Sequence, residues 1–109
     1  MRLLFICSKN RFRSPTAEAV FSSYEGIEAL SAGLNNDAPT TVSGDLLAWA
    51  DMIFVMEKSH LNRLNKRFGG LTKGKRVVVL GVPDKFDFME PALIELLERR
   101  VKAHLHHLK

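Results

Sequence analysis

Thiols are almost absent: Cys7 is the single cysteine among 109 residues. One thiol excludes an internal disulfide framework and any metal centre built on clustered cysteines. The apolar runs, such as Leu3 to Ile6, Met52 to Met56 and Val77 to Leu80, are strand-sized and far short of a membrane span. Met1-Arg2 leads straight into the first run, with neither the length of a signal sequence nor a small-residue cleavage site, so no targeting segment is expected. Internal repeats, linkers and low-complexity tracts are missing as well. Acidic residues disappear between Lys58 and Pro83, where Lys58, Arg63, Lys66, Arg67, Lys73, Lys75 and Arg76 go uncompensated.

What remains is ordinary globular material. A hydrophobic content of 46% and a charged content of 26% fit one domain over 1–109 with a core that needs no cross-link. A free thiol with chemistry to perform favours a reducing, cytoplasmic setting.

The stretch from Leu3 to Phe21 organises the rest. Leu3, Leu4, Phe5 and Ile6 form a continuous apolar run, the pattern of a strand covered on both faces of a parallel sheet. Cys7 follows, then a polar loop to Arg13 and Ser14, then a helix. Pro15 suits a first helical position with Ser14 as its N-cap. Ala17, Val20, Phe21 and Tyr24 give that helix an inward face. Loop amides and a helix N-terminus form a ready cradle for phosphate. Arg13 adds a two-pronged donor. A cysteine there is reactive as its thiolate, and a thiolate beneath a bound phosphate is a nucleophile aimed at phosphorus. The competing reading makes Cys7 only a small buried hydrophobe.

Further along, Ile27 to Ala32 reads as a strand after Gly26, and Gly33 to Thr41 as a loop. Val42, Leu46, Leu47 and Ala50 suggest a short helix ending near Trp49, itself a packing residue. Met52 to Met56 is a third buried strand. A helix over 57–68, carrying Leu61, Leu64 and Phe68, is expected to stop at Gly69-Gly70. Val77 to Leu80 is a fourth buried strand. Pro91 opens a last helix with Leu93, Leu97, Val101 and Leu105 at intervals of four, joined by Ile94 and Leu108.

Alternating strands and helices imply a parallel sheet with helices on both faces. Ligands of such sheets bind beyond the carboxyl ends of the strands. Cys7, Glu57 and the segment 81–88 all fall at such ends. Thiolate attack needs an acid to protonate the leaving group. Asp84 is the first candidate and Asp87 the second, although both could simply shape a turn. The basic stretch from Lys58 to Pro83 is either a steering face for anions or a solvated surface. His60, His104, His106 and His107 are expected to face solvent.

In order along the chain, CSKNRFRSPTAEAVF, the SAG of Ser31 to Gly33, ADMIFVME from Ala50 to Glu57, and VPDKF from Val82 to Phe86 resemble the low-molecular-weight protein tyrosine phosphatase family. The resemblance implies a short, divergent member with a flavodoxin-like, four-stranded parallel sheet of order 2-1-3-4. It implies Cys7 as nucleophile, Arg13 as oxyanion clamp and Asp84 as proton donor. Ser8, Lys9, Asn10, Arg11, Phe12 and Ser14 would bind substrate. Asn10 would also hold the loop's backbone, with Ser31 supporting it from strand two, and Ser14 would ease the departure of the thiolate. The implied reaction moves a phosphoryl group to sulfur and then to water, with no metal or organic cofactor. The implied partner is a phosphotyrosine protein or another anionic phosphomonoester; membranes and nucleic acid are not expected partners.

This chain departs from the family where Lys9 replaces a glycine, Phe12 a second cysteine, and Lys85-Phe86 the usual Pro-Tyr. Arg11 replaces an apolar or small residue and would disfavour cationic substrates. A phosphatase-like module that binds phosphate or phosphotyrosine with little turnover is the alternative. Arsenate reduction of the thioredoxin-coupled kind needs further cysteines. A phosphocysteine carrier has no use for the Arg13-Ser14 pair.

Overall fold

The computed structural model describes residues 1–105. Its elements are β1 (Arg2–Cys7), α1 (Arg13–Phe21), β2 (Glu28–Gly33), α2 (Gly44–Trp49), β3 (Met52–Val55), α3 (Lys58–Thr72), β4 (Arg76–Val79) and α4 (Pro91–Lys102). The strands form one parallel sheet in the order β2-β1-β3-β4, as expected. β1 lies inside the sheet, with Leu3 opposite both Ala29 of β2 and Met52 of β3. That position explains the unbroken apolar run, because alternate side chains enter different cores.

Leu3, Phe5 and Cys7 face the core covered by α1 and α4, where Ala17, Phe21, Leu93, Leu97 and Val101 are buried. Phe5 stacks between Phe21 and Phe54, with ring centroids 5.6 and 5.3 Å away. Leu4 and Ile6 face the other core, closed by Leu47 of α2 and Leu64 of α3, with Trp49 partly buried at its edge. Both layers therefore grip the strand that ends at the sulfur.

Several local expectations are corrected. Helix α1 starts one residue before Ser14, so Phe12 is the N-cap and Pro15 the third helical residue. The Ser14 hydroxyl is taken up by the loop and caps nothing. Tyr24 lies beyond the end of α1 and packs only partly against the core. Gly69 and Gly70 do not stop α3: the helix kinks at Phe68 (φ −133°, ψ 23°) and continues to Thr72. Neither glycine has a positive φ; the left-handed residue that turns the chain away is Gly74, at φ 86°. β4 is an edge strand and only half-covered, because its one partner is β3. Helix α4 ends at Lys102, and Leu105 is buried just beyond it. Leu108, His106 and His107 lie outside the described residues. No helix among the described residues is long and apolar enough to cross a membrane.

Gly33 connects this framework to the loop after β1. A Cβ placed there would lie 2.6 Å from Ala38 Cβ and 2.7 Å from the Ser8 carbonyl oxygen. Backbone cannot yield as a flexible side chain can, so Gly33→Ala is expected to lose about 1–3 kcal/mol by overpacking. Urea denaturation measures it; a variant as stable as the parent would show that the loop has room to move.

Candidate active site

Beyond Cys7, residues 8–12 turn the chain from β1 into α1. Asn10 makes that turn in the left-handed region, at φ 54°, which asparagine tolerates better than most residues. Its backbone amide donates to Cys7 Sγ at 3.3 Å. Its side-chain Nδ2 donates to Ser14 Oγ at 2.9 Å and to Ser31 Oγ at 3.0 Å. The Ser31 hydroxyl in turn donates a hydrogen bond to Glu18 Oε1 at 2.7 Å. Since Ser14 Oγ receives the Asn10 amide, its hydroxyl proton is free to face Cys7 Sγ, 2.9 Å away. Two donors thus converge on the sulfur. Among the amides of residues 8–12 only that of Asn10 bonds to a protein atom; those of Ser8, Lys9, Arg11 and Phe12 are left unbonded within the described residues.

Cys7 is only 3% exposed, yet it lines a cleft of about 370 Å³ and is therefore not sealed in the core. Ser8, Lys9, Arg11, Phe12 and Arg13 supply the loop side of that cleft, and Asn35, Glu57, Ser59, His60, Arg63 and Asp84 the remainder. The side chains of Asn10, Ser14 and Ser31 are buried behind the sulfur and do not line the cleft. Lys9, Arg11 and Phe12 are exposed at its rim.

Arg13 is almost fully buried. Its Nη1 donates to Glu57 Oε2 at 2.7 Å and to the Val82 carbonyl at 2.9 Å. Nε stands 3.8 Å from Asp84 Oδ1. Nε and Nη2 make no protein hydrogen bond, and no buried side-chain nitrogen or oxygen among the described residues lacks a partner. Both are therefore reached from the cleft, and together they form the edge of the guanidinium that can grip two oxygens at once. Glu57 accepts the Arg13 hydrogen bond, which outweighs partial burial and holds its carboxyl below the usual range. Asp87 lines no part of the cleft, and its backbone bonds to Glu90 instead.

His60 overturns the expectation of a solvent-facing ring: it is 1% exposed. The Glu57 amide donates to its Nδ1 at 3.1 Å. The ring proton of the neutral form then lies on Nε2, 3.0 Å from Ser8 Oγ. Arg63 Nη1 also donates to Ser8 Oγ, at 3.0 Å, so both lone pairs are occupied and the Ser8 hydroxyl can only donate. Burial first, and the Arg13 cation second, lower the His60 pKa to about 4.

Residues 2–43 match the family model described as low molecular weight phosphotyrosine protein phosphatase. The chain resembles that family. The matched span holds Cys7, the loop, Arg13, Ser14 and Ser31, and stops short of Glu57, His60, Arg63 and Asp84. No curated protein matches the sequence significantly. Among solved structures, the fold is similar to the tyrosine phosphatase Wzb from Escherichia coli K30, at 22% identity and a TM-score of 0.77, covering 99% of this chain and 98% of that one. The YwlE arginine phosphatase from Geobacillus stearothermophilus shares 21% identity at a TM-score of 0.75, covering 98% and 95%. The low molecular weight protein tyrosine phosphatase SP-PTP from Streptococcus pyogenes shares 16% at 0.78, covering 99% and 93%. At such identities the likeness establishes the fold.

The sequence alone places Glu57 at the right edge without a role, puts Arg63 only within a general basic stretch that could steer anions, and leaves His60 in solvent. Their spacing of three, 57-60-63, was the available signal, because it puts all three at one face of the start of α3.

Neutral burial of His60 has a measurable consequence. Unfolded histidine takes a proton near pH 6.5 and this one near 4, so the unfolded chain binds the extra proton between those values. Stability therefore falls as pH drops from about 6.5 to about 4, by an amount on the order of 3 kcal/mol for a shift of this size. His60→Gln is expected to flatten that part of the melting-temperature profile; parallel profiles for parent and variant would contradict it.

Proposed function

We propose that this chain is a cysteine-dependent phosphatase that hydrolyses phosphomonoesters, with phosphotyrosine in proteins as the substrate class and the cytoplasm as its setting. The observation that carries the proposal is the Cys7 sulfur at the floor of a cleft, beside the two-donor edge of Arg13, which makes no hydrogen bond within the described residues, and four unbonded loop amides. Residues 8–12 then form the phosphate-binding loop. The Wzb structure from E. coli K30 is a complex with phosphate, the ligand this loop is suited to hold.

The reaction follows from the placement of the groups. Phosphate oxygens sit on the loop amides and on Nε and Nη2 of Arg13, where donors stabilise the charge that builds up during transfer. Cys7 Sγ attacks phosphorus in line, an S–P bond forms, and the bond to the ester oxygen breaks. Asp84 faces the same guanidinium edge as the phosphate. Acting as the general acid, Asp84 gives its proton to the leaving oxygen. Water then attacks phosphorus and gives a proton back to Asp84. The S–P bond breaks, and the departing sulfur is received by the Ser14 hydroxyl and the Asn10 amide. Glu57 and the Val82 carbonyl hold Arg13 in place throughout.

An aryl phosphate should be hydrolysed at mildly acidic pH, and Cys7→Ser should abolish this. Asp84→Ala should slow alkyl esters by roughly 10²–10⁴-fold, the usual worth of general acid catalysis, and aryl esters by less because phenols leave without help. Steady-state kinetics on both ester classes decide it. Full activity of Cys7→Ser would sink the mechanism, and anion binding without turnover in the parent would favour a binding module.

A further inference from the structure

Arg63 is half-buried at the border of the cleft, and its visible partners are neutral. Nη1 donates to Ser8 Oγ, and Nη2 to Asn35 Oδ1 at 2.8 Å. One turn later on the same helix face, Arg67 Nη1 donates to the Leu34 carbonyl at 2.7 Å. No carboxylate among the described residues is in ion-pair contact with Arg63, Arg67, Lys9 or Arg11. Asp37, in the same loop as Asn35, pairs with neither arginine. Both carboxylates of the cleft, Glu57 and Asp84, face Arg13 instead. A second recess of about 410 Å³ opens beside the cleft, lined by Leu34, Asn35, Asn36, Arg63 and Arg67. Arg63 and Asn35 belong to both.

The geometry points to a second anion subsite, formed by Arg63, Arg67 and Asn35, that takes a carboxylate or phosphate carried elsewhere on the substrate whose phosphoryl group sits over Cys7. This deepens the phosphatase reading and rests on it. The physical grounds are charge and fixed donors. Arg63 is partly buried and Arg67 exposed, and with neutral hydrogen-bond partners both guanidinium groups keep their attraction for an anion. Each arginine has further N–H groups uncommitted, and so has the Asn35 amide. The bonds to Ser8, Asn35 and Leu34 hold these donors in position, so less ordering is needed on binding. Arg63 spans the border, so an anion in the recess and a phosphoryl group in the cleft can be held together. The substrate class is a phosphomonoester with acidic surroundings, supplied either by Asp and Glu side chains near the phosphorylated residue or by a second phosphate.

The test uses three phosphotyrosyl peptides: one with neutral flanks, one with glutamates and one with an added phosphoserine. The full chain and its Arg63→Gln, Arg67→Gln and Lys66→Gln variants are compared by the ratio of kcat/KM for acidic over neutral peptide, which cancels changes in basal rate. Lys66 lies on α3 but lines neither recess, so it controls for net charge. The parent ratio should be roughly ten- to hundredfold, the range of one charge-assisted hydrogen bond. It should fall towards one in either arginine variant and persist in Lys66→Gln. The glutamate and phosphoserine peptides show which source of anion is preferred. Equal rates on all peptides, or an equal fall in Lys66→Gln, would overturn the subsite. Binding of the same peptides to Cys7→Ala separates the two readings. Acid-selective binding with no hydrolysis by the parent would refute the phosphatase and leave the subsite standing; no selectivity in binding would remove the subsite alone.

Discussion

The left-handed turn at Asn10 holds the site together. One residue at φ 54° lets a single side chain reach both Ser14 and Ser31 while its own amide meets the sulfur. Without that bend the Asn10 amide would not meet the sulfur, and Ser14 would lose the bond that directs its hydroxyl to Cys7. The cost of the unusual backbone is offset by bonds in a buried setting, where polar groups left unpaired are expensive. Ser31 and Glu18 extend the chain of bonds to β2 and α1, so the loop is braced by the framework on both sides.

Charge is distributed with a clear division of labour. Arg13 has two carboxylates for company, Glu57 in a hydrogen-bonded ion pair and Asp84 at 3.8 Å, and the bonds to Glu57 and the Val82 carbonyl hold it beside the cleft. The other cations around the cleft have none among the described residues. A neutral His60 lies between these two zones, bonded to the Glu57 backbone on one side and to Ser8 on the other. Its neutrality matters to the arrangement, because a proton there would set a third cation against Arg13 and Arg63.

The fold was largely readable because β1 and β3 are covered on both faces, which leaves apolar runs too dense to mistake. β4 was overread for the same reason: Val77 to Leu80 looks like an interior strand, yet among the described residues nothing pairs with its outer edge. The glycine pair misled because a glycine ends a helix only when its φ turns positive, which Gly74 does and Gly69 and Gly70 do not. In the site, Cys7, Arg13 and Asp84 could be brought to one edge because the loops that carry them follow the carboxyl ends of parallel strands. His60 could not be judged buried, since that depends on how α3 seats against the loop after β1. Ser14 looked like a helix cap because its position allowed it; only the competing sulfur and Asn10 decided otherwise.

The way Arg13 is moored has a mechanical corollary. One nitrogen of its planar head is tied both to the residue that opens α3 and to the backbone of the segment carrying Asp84. The opposite edge, Nε and Nη2, is the one the proposed reaction gives to phosphate. A rigid plane fixes the geometry between its two sides, so in the proposed reaction the spacing between the phosphate grip and the segment bearing the acid is set before substrate arrives.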